Sequence, residues 1–216
     1  MRISLPATLL ATVAAVSLPA AAHDAPTAQA AQPPAIATKL ADTRAALRDL
    51  WIGHVFWVRN VVDARFEGDR AAADAAERQV VANAKAIAGA IEPFYGKAAS
   101  EKLFGLLAGH WGAIKGYLDA TLANDKAGQD AAMSKLLANA NEIAAFLGGA
   151  NPNWPVDTLK GLLTAHGSHH VQQIGEFKAK QWDAEAKTWA AMTHHMYVIA
   201  DALADGLAKQ FPDKFR

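Results

Sequence analysis

Apolar residues recur along this chain at the three- and four-residue steps of a helix, in long runs with little punctuation. Leu50, His54 and Val58 lie four apart, as do Leu106, His110 and Ile114, so each histidine shares a helix face with apolar neighbours. Leu162 precedes His166 in the same way, and Ile87, Ile143 and Ile199 follow Asn83, Asn139 and His195 by four. The pattern predicts helices over 39–67, 70–91, 97–123, 126–148, 155–180 and 183–210. Turns are expected near Gly68-Asp69, Asn124-Asp125 and Lys180–Asp183. Pro93 with Gly96, the run Asn151-Pro152-Asn153-Trp154-Pro155, and Pro212 close successive units. Strand-like alternation of β-branched residues is missing, so the fold class is all-α.

The same pattern repeats. His54, His110 and His166 are spaced by 56 residues, and each is answered 29 residues later by Asn83, Asn139 and His195. The flanking residues agree in kind: Leu-Trp-Ile-Gly before His54, Leu-Leu-Ala-Gly before His110, Leu-Leu-Thr-Ala before His166. A fixed period decides the architecture, here an antiparallel bundle of three pseudo-repeated helix hairpins, about six helices in all. His54 and Asn83 are each about 14 residues from their turn, which places both roughly 21 Å from the tip. The other two pairs match, so the six polar residues are expected in one layer at mid-height, directed to a common centre.

Polar groups on core-facing stripes need partners, at about 1–3 kcal/mol each if unsatisfied. His54, His110, His166 and His195 come from four helices and are candidate ligands for one transition metal ion, since imidazole suits copper, zinc, iron or nickel. Asn83 and Asn139 are then orienting partners or weak ligands. A buried polar layer that only fixes register, and an organic ligand such as haem, are the alternatives. His169 and His170 follow His166 by three and four, so either can extend the site by a turn. His194 points about 100° away from His195 on the helix. Arg59 with Lys115, and Asp63 with Asp119, occupy equivalent positions and read as solvated charges.

Composition narrows the picture. Lys plus Arg and Asp plus Glu are equal at 21 each, which argues against nucleic acid as partner. Cysteine is absent, which excludes disulfides, thiolate metal sites and c-type haem attachment. No Gly-rich phosphate loop or GxSxG elbow occurs, and the Glu-x-x-His pairs of a di-iron bundle are missing; Glu142 has no repeat-mate, Ala86 and Val198 standing there. The opening MRISLPATLLATVAAVSLPAAA, with an early arginine, an apolar run and the small residues Ala20-Ala21-Ala22, reads as a secretory signal over 1–22 and not as a membrane span. Residues 23–38, rich in Ala, Pro, Gln and Thr, read as a flexible leader, leaving 39–216 as one helical-bundle domain. A periplasmic or secreted protein without stable membrane insertion follows. Cleavage after Ala22 would expose His23, whose α-amine and imidazole can chelate copper(II).

The motifs LWIGHVFWVRN, EPFYG, GANPNWP and KQFPDKF resemble those of a bacterial family of small helical proteins. Its members carry LWxxHxxWxR, PYYG, NPNW and QFPxKF, and the likeness spans residues 47–216. The resemblance implies that His54, Asn83, His110, His166 and His195 belong to a family pattern, and it brings no settled activity. The label glycosyltransferase, sometimes attached to relatives, finds no support in these residues. The chain departs from the pattern at Phe94, where the family has tyrosine. The function expected from the sequence is therefore exported transition-metal binding, sensing or storage. The alternative is an enzyme with an open coordination position, or a bundle without metal.

Overall fold

The computed structural model describes residues 35–216, with side chains from Lys39 onward. The signal segment, His23 and most of the leader lie outside the described residues. Among the described residues there is no strand. Three hairpins carry the fold: α1 (Ala35–Glu67) with α2 (Arg70–Gly89), α4 (Lys97–Leu122) with α5 (Lys126–Ala150), and α6 (Val156–Ala179) with α7 (Trp182–Gln210). The expected all-α bundle of three hairpins is the observed one. Two details differ. Helix α1 begins at Ala35, inside the expected leader, because the chain after Pro34 is already rich in helix formers. A single extra turn, α3 (Glu92–Tyr95), forms at the first inter-hairpin link, where Pro93 occupies a position that needs no N–H.

The repeat is visible in the backbone itself. Gly68, Asn124 and Lys180 hold equivalent places after the first helix of each hairpin, and all three take left-handed φ values, of 76°, 57° and 54°. At each turn the next amide reaches back five residues, Asp69 to Ala64 at 2.9 Å, Asp125 to Ala120 at 2.8 Å and Gln181 to Glu176 at 2.9 Å. This closure satisfies carbonyls that a helix end leaves bare. Asp69 and Asp125 then cap the returning helices by accepting from the amides of Ala72 and Gly128. Lys180 takes the left-handed conformation at the third turn, where it is strained relative to a glycine.

The long helices close a ring, each packing on its chain neighbours and α7 returning to α1, with α2 meeting α4 and α5 meeting α6. Helix α6 also touches α1 and α4, so the leading helices of the hairpins meet inside the ring. The core falls into two apolar clusters. One holds Leu47, Trp51, Val55, Leu106, Leu163, Met192 and Met196, and the other Val58, Val61, Trp111, Ile114, Leu118, Ile174 and Phe177. His54, His110 and His166 fall at the junction between them along all three leading helices. A short 3-10 turn, Pro212–Phe215, ends the chain. At the end opposite the hairpin turns, Phe94, Tyr95, Trp154, Phe211 and Phe215 stack, and Tyr95 donates to Gln210 at 2.6 Å while accepting from Asn151 at 3.1 Å. The aromatic motifs singled out in the sequence thus form a clasp that fixes the hairpin ends. No described helix is long and apolar enough to cross a membrane.

Candidate metal centre

Three histidines converge. His54 from α1, His110 from α4 and His166 from α6 are buried, and each offers a ring nitrogen within 4.8 Å of the others. The Nε2 atoms of His54 and His166 are 3.3 Å apart. Two ligands on one ion with bonds of about 2.0–2.1 Å and tetrahedral angles stand about 3.4 Å apart, so this spacing suits a shared metal. The ring centres of His110 lie 5.4 Å from His166 and 6.2 Å from His54.

The residues that answer these histidines do something different from what the spacing suggested. Asn83 donates from Nδ2 to the carbonyl of Leu50 at 3.0 Å, and Asn139 donates to that of Leu106 at 2.9 Å. His195 makes the same bond from Nε2 to Leu162 at 2.8 Å. In every copy the acceptor is the carbonyl four residues before the central histidine. The amides sit so close to the leading helix that a Cβ on Gly53 would stand 2.9 Å from Asn83 Nδ2, and one on Gly109 3.1 Å from Asn139 Nδ2. The third copy has Ala165 at that place and the longer imidazole opposite. The expectation that all six polar residues point to one centre is therefore corrected: three converge and three clamp the backbone beside them. His195, expected as the fourth ligand, is outside the converging set, its Nε2 turned onto the Leu162 carbonyl beside it.

A different histidine takes the vacated side. His170 is buried, with its ring centre 4.5 Å from His166 and 5.6 Å from His54. The sequence marked it only by its four-residue step from His166. Its repeat-mates are Val58 and Ile114, both core residues, so an imidazole here serves no packing need. His169, one turn from His166, is half-buried with its ring 5.4 Å from that of His195. His194 is exposed. Glu142 is exposed as well, away from the layer.

Among the described residues the imidazoles of the centre have few hydrogen-bond partners. Both nitrogens of His110, both of His170 and Nδ1 of His166 are buried without one, as are the amide oxygens of Asn83 and Asn139. Each such group costs about 1–3 kcal/mol relative to a satisfied one. Burial pushes His54 down to about 3, with His110 adding to the shift. Burial likewise brings His110 to about 4, opposed by the neighbouring Asn139 side chain. His166 and His170 lie well below the ordinary histidine range, chiefly through burial and then through the imidazoles around them. The imidazoles are therefore neutral at physiological pH, the form in which histidine binds metals. Beside them is a cavity of about 10 Å³, with Trp51, Trp111, Ile87, Ile143 and Leu163 in its wall. That is room for about one water molecule. The Trp51 indole N–H is buried there with no acceptor.

Sequence reasoning missed the partner of Arg59. Its guanidinium forms a two-pronged pair with buried Glu185, at 2.6 and 2.9 Å, and is no free surface charge. Lys115, its repeat-mate, instead reaches Glu77, which also accepts from Trp111 Nε1 at 3.0 Å. Asp119 pairs with Arg65. The chain matches no described protein family, no curated protein and no solved structure in the comparisons made.

Proposed function

We propose that this protein binds one transition metal ion between His54, His110 and His166, and that it works as an exported metal-binding, sensing or storage bundle. The observation that carries this reading is the convergence of neutral, buried imidazoles whose nitrogens have no partner. A structural layer would be expected to satisfy its own hydrogen bonds, whereas both nitrogens of His170 and Nδ1 of His166 have no partner and His110 has only the neighbouring Asn139 side chain, in no well-formed bond. Imidazole-only coordination suits copper, zinc or iron and disfavours calcium or magnesium, which require oxygen. The amide oxygens of Asn83 and Asn139, buried and free, are suited to accept the second ring N–H of a ligating histidine, the arrangement that fixes ligand orientation in metal sites. The cavity beside the three histidines has room for about one water-sized molecule, so turnover at an open site is the alternative within the same reading. The export assignment rests on the signal-like opening of the chain.

The test is calorimetric titration with zinc, iron(II) and, under reducing conditions, copper(I). One ion should bind per chain, and His110→Ala should weaken binding at least tenfold while circular dichroism stays that of a helical bundle. Equal affinity in the variant would remove the histidine centre as the site.

A further inference from the structure

The three copies of the repeat do not share their histidines evenly. Each has the central imidazole, but the third alone adds His169, His170 and His195, where the first has Trp57, Val58 and Asn83 and the second Ala113, Ile114 and Asn139. These are scattered substitutions in sequence, yet the fold brings them to one side of the centre. His170 lies against His166 and His54, 4.5 and 5.6 Å away between ring centres. His169 and His195 pair across α6 and α7 with ring centres 5.4 Å apart, and both are half-buried. His166 has His169 one turn away at i+3 and His170 at i+4, so these three imidazoles leave α6 on one helix face, His170 toward the buried group and His169 toward His195.

The outer pair has the form of a metal-receiving site. His195 gives its Nε2 proton to the Leu162 carbonyl, which leaves Nδ1 as a lone pair. A histidine held by a carbonyl at one nitrogen and open at the other is the usual state of a metal ligand. His169 has a buried Nδ1 with no partner. The backbone clamp does not require histidine here, since asparagine makes the same bond in both other copies.

We propose that His169 and His195 capture a metal ion at the bundle surface and pass it, with His170 as the intermediate donor, to the buried histidines; this rests on the metal-binding reading above. At each transfer one imidazole–metal bond forms as another breaks. The ion is held by an imidazole lone pair before and after each step, and no electron is exchanged. Residues that touch the ion only in transit change uptake and release equally and leave the final affinity alone.

The repeat supplies the test variants. His169→Ala installs the residue of the second copy, and Ala165→Gly with His195→Asn installs the Gly-His and Asn arrangement of the first two. Full-length protein is mixed with zinc(II) or copper(I) in stopped flow, loading is followed with a chromophoric chelator as competitor, and affinity is measured separately. Both variants should load and release at least tenfold more slowly, with stoichiometry and affinity within twofold of the unaltered protein. Unchanged rates would overturn the relay while leaving the buried site standing. Affinity lost together with the loading rate would make these residues final ligands and also overturn it. If the unaltered protein takes up neither ion, the metal-binding reading fails and the relay with it.

Discussion

The first two hairpins and the third share a backbone and differ in what fills it. All three have a left-handed residue at the turn, the same five-residue backbone closure, and a polar side chain clamped to the carbonyl four before the central histidine. Beyond that frame, the third hairpin replaces apolar or small residues with polar ones. Val61 and Tyr117 become Gln173, Ala64 and Ala120 become Glu176, Ala76 and Ala132 become Thr188. These polar residues are buried and bonded: Gln173 donates to Glu185 at 2.8 Å, and Thr188 to Glu176 at 2.9 Å. With His170 in the same hairpin, they give the third hairpin more buried polar side chains than either of the other two. The difference teaches that the frame and one central histidine are common to all three copies, while the additional buried polar groups and imidazoles are gathered mainly in the third.

Acid should expose that difference most strongly. Well above pH 6.5, His54, His110, His166 and His170 are neutral in folded and unfolded chains alike, and their contribution to stability is full. As pH falls, the unfolded chain takes up protons near 6.5, whereas folded His110 waits until about 4 and folded His54 until about 3. The folded state binds fewer protons, so stability falls with pH through that window. Each of these two groups removes about 1.4 kcal/mol per pH unit well inside it. Urea unfolding of the metal-free protein at pH 7.5, 6 and 5 should show the decline, and the downward shifts of His166 and His170 steepen it. Flat stability from pH 7.5 to 5 would mean that the centre is solvated.

Equivalent positions in different hairpins should also respond unequally. Arg59→Ala strands the buried Glu185 carboxylate, while Lys115→Ala releases a Glu77 that water can reach. The Arg59 change should cost about 2 kcal/mol, below the 3–5 of a fully buried pair because the guanidinium is partly exposed. The Lys115 change should cost under about 1 kcal/mol. Equal losses in denaturant melts would erase the contrast between the hairpins.

A smaller effect has the opposite sign. His170→Val installs the residue of the first copy and removes two unpartnered buried nitrogens, so the metal-free protein should gain about 1 kcal/mol. Its stability should also depend less steeply on pH. A loss of stability in this variant would show that His170 is there for packing.

The sequence carried the frame because the frame is periodic. Turn residues, apolar stripes and the 56-residue spacing of His54, His110 and His166 follow from helix geometry, and the structure keeps them. It did not carry the direction of Asn83, Asn139 and His195. Level height in a hairpin does not distinguish a side chain that points to the bundle centre from one that turns sideways onto its neighbour's backbone. The glycines before His54 and His110 were the available signal, since a missing Cβ marks a close approach. His170 was marked in the sequence only by its four-residue step from His166, on a par with His169. It departs from the repeat, and a repeat draws attention to what recurs. Comparing it with Val58 and Ile114 would have singled it out as an imidazole in an aliphatic position.

The most direct measurement is X-ray absorption of the protein after loading with zinc or copper and removal of excess ion. Binding by His54, His110 and His166 requires coordination dominated by nitrogen, at about 2.0–2.1 Å for zinc, with the outer scattering of about three imidazoles. His110→Ala should lose one imidazole from that signal or lose the ion. An oxygen-dominated spectrum, or a spectrum unchanged in the variant, would place the metal elsewhere and contradict the account.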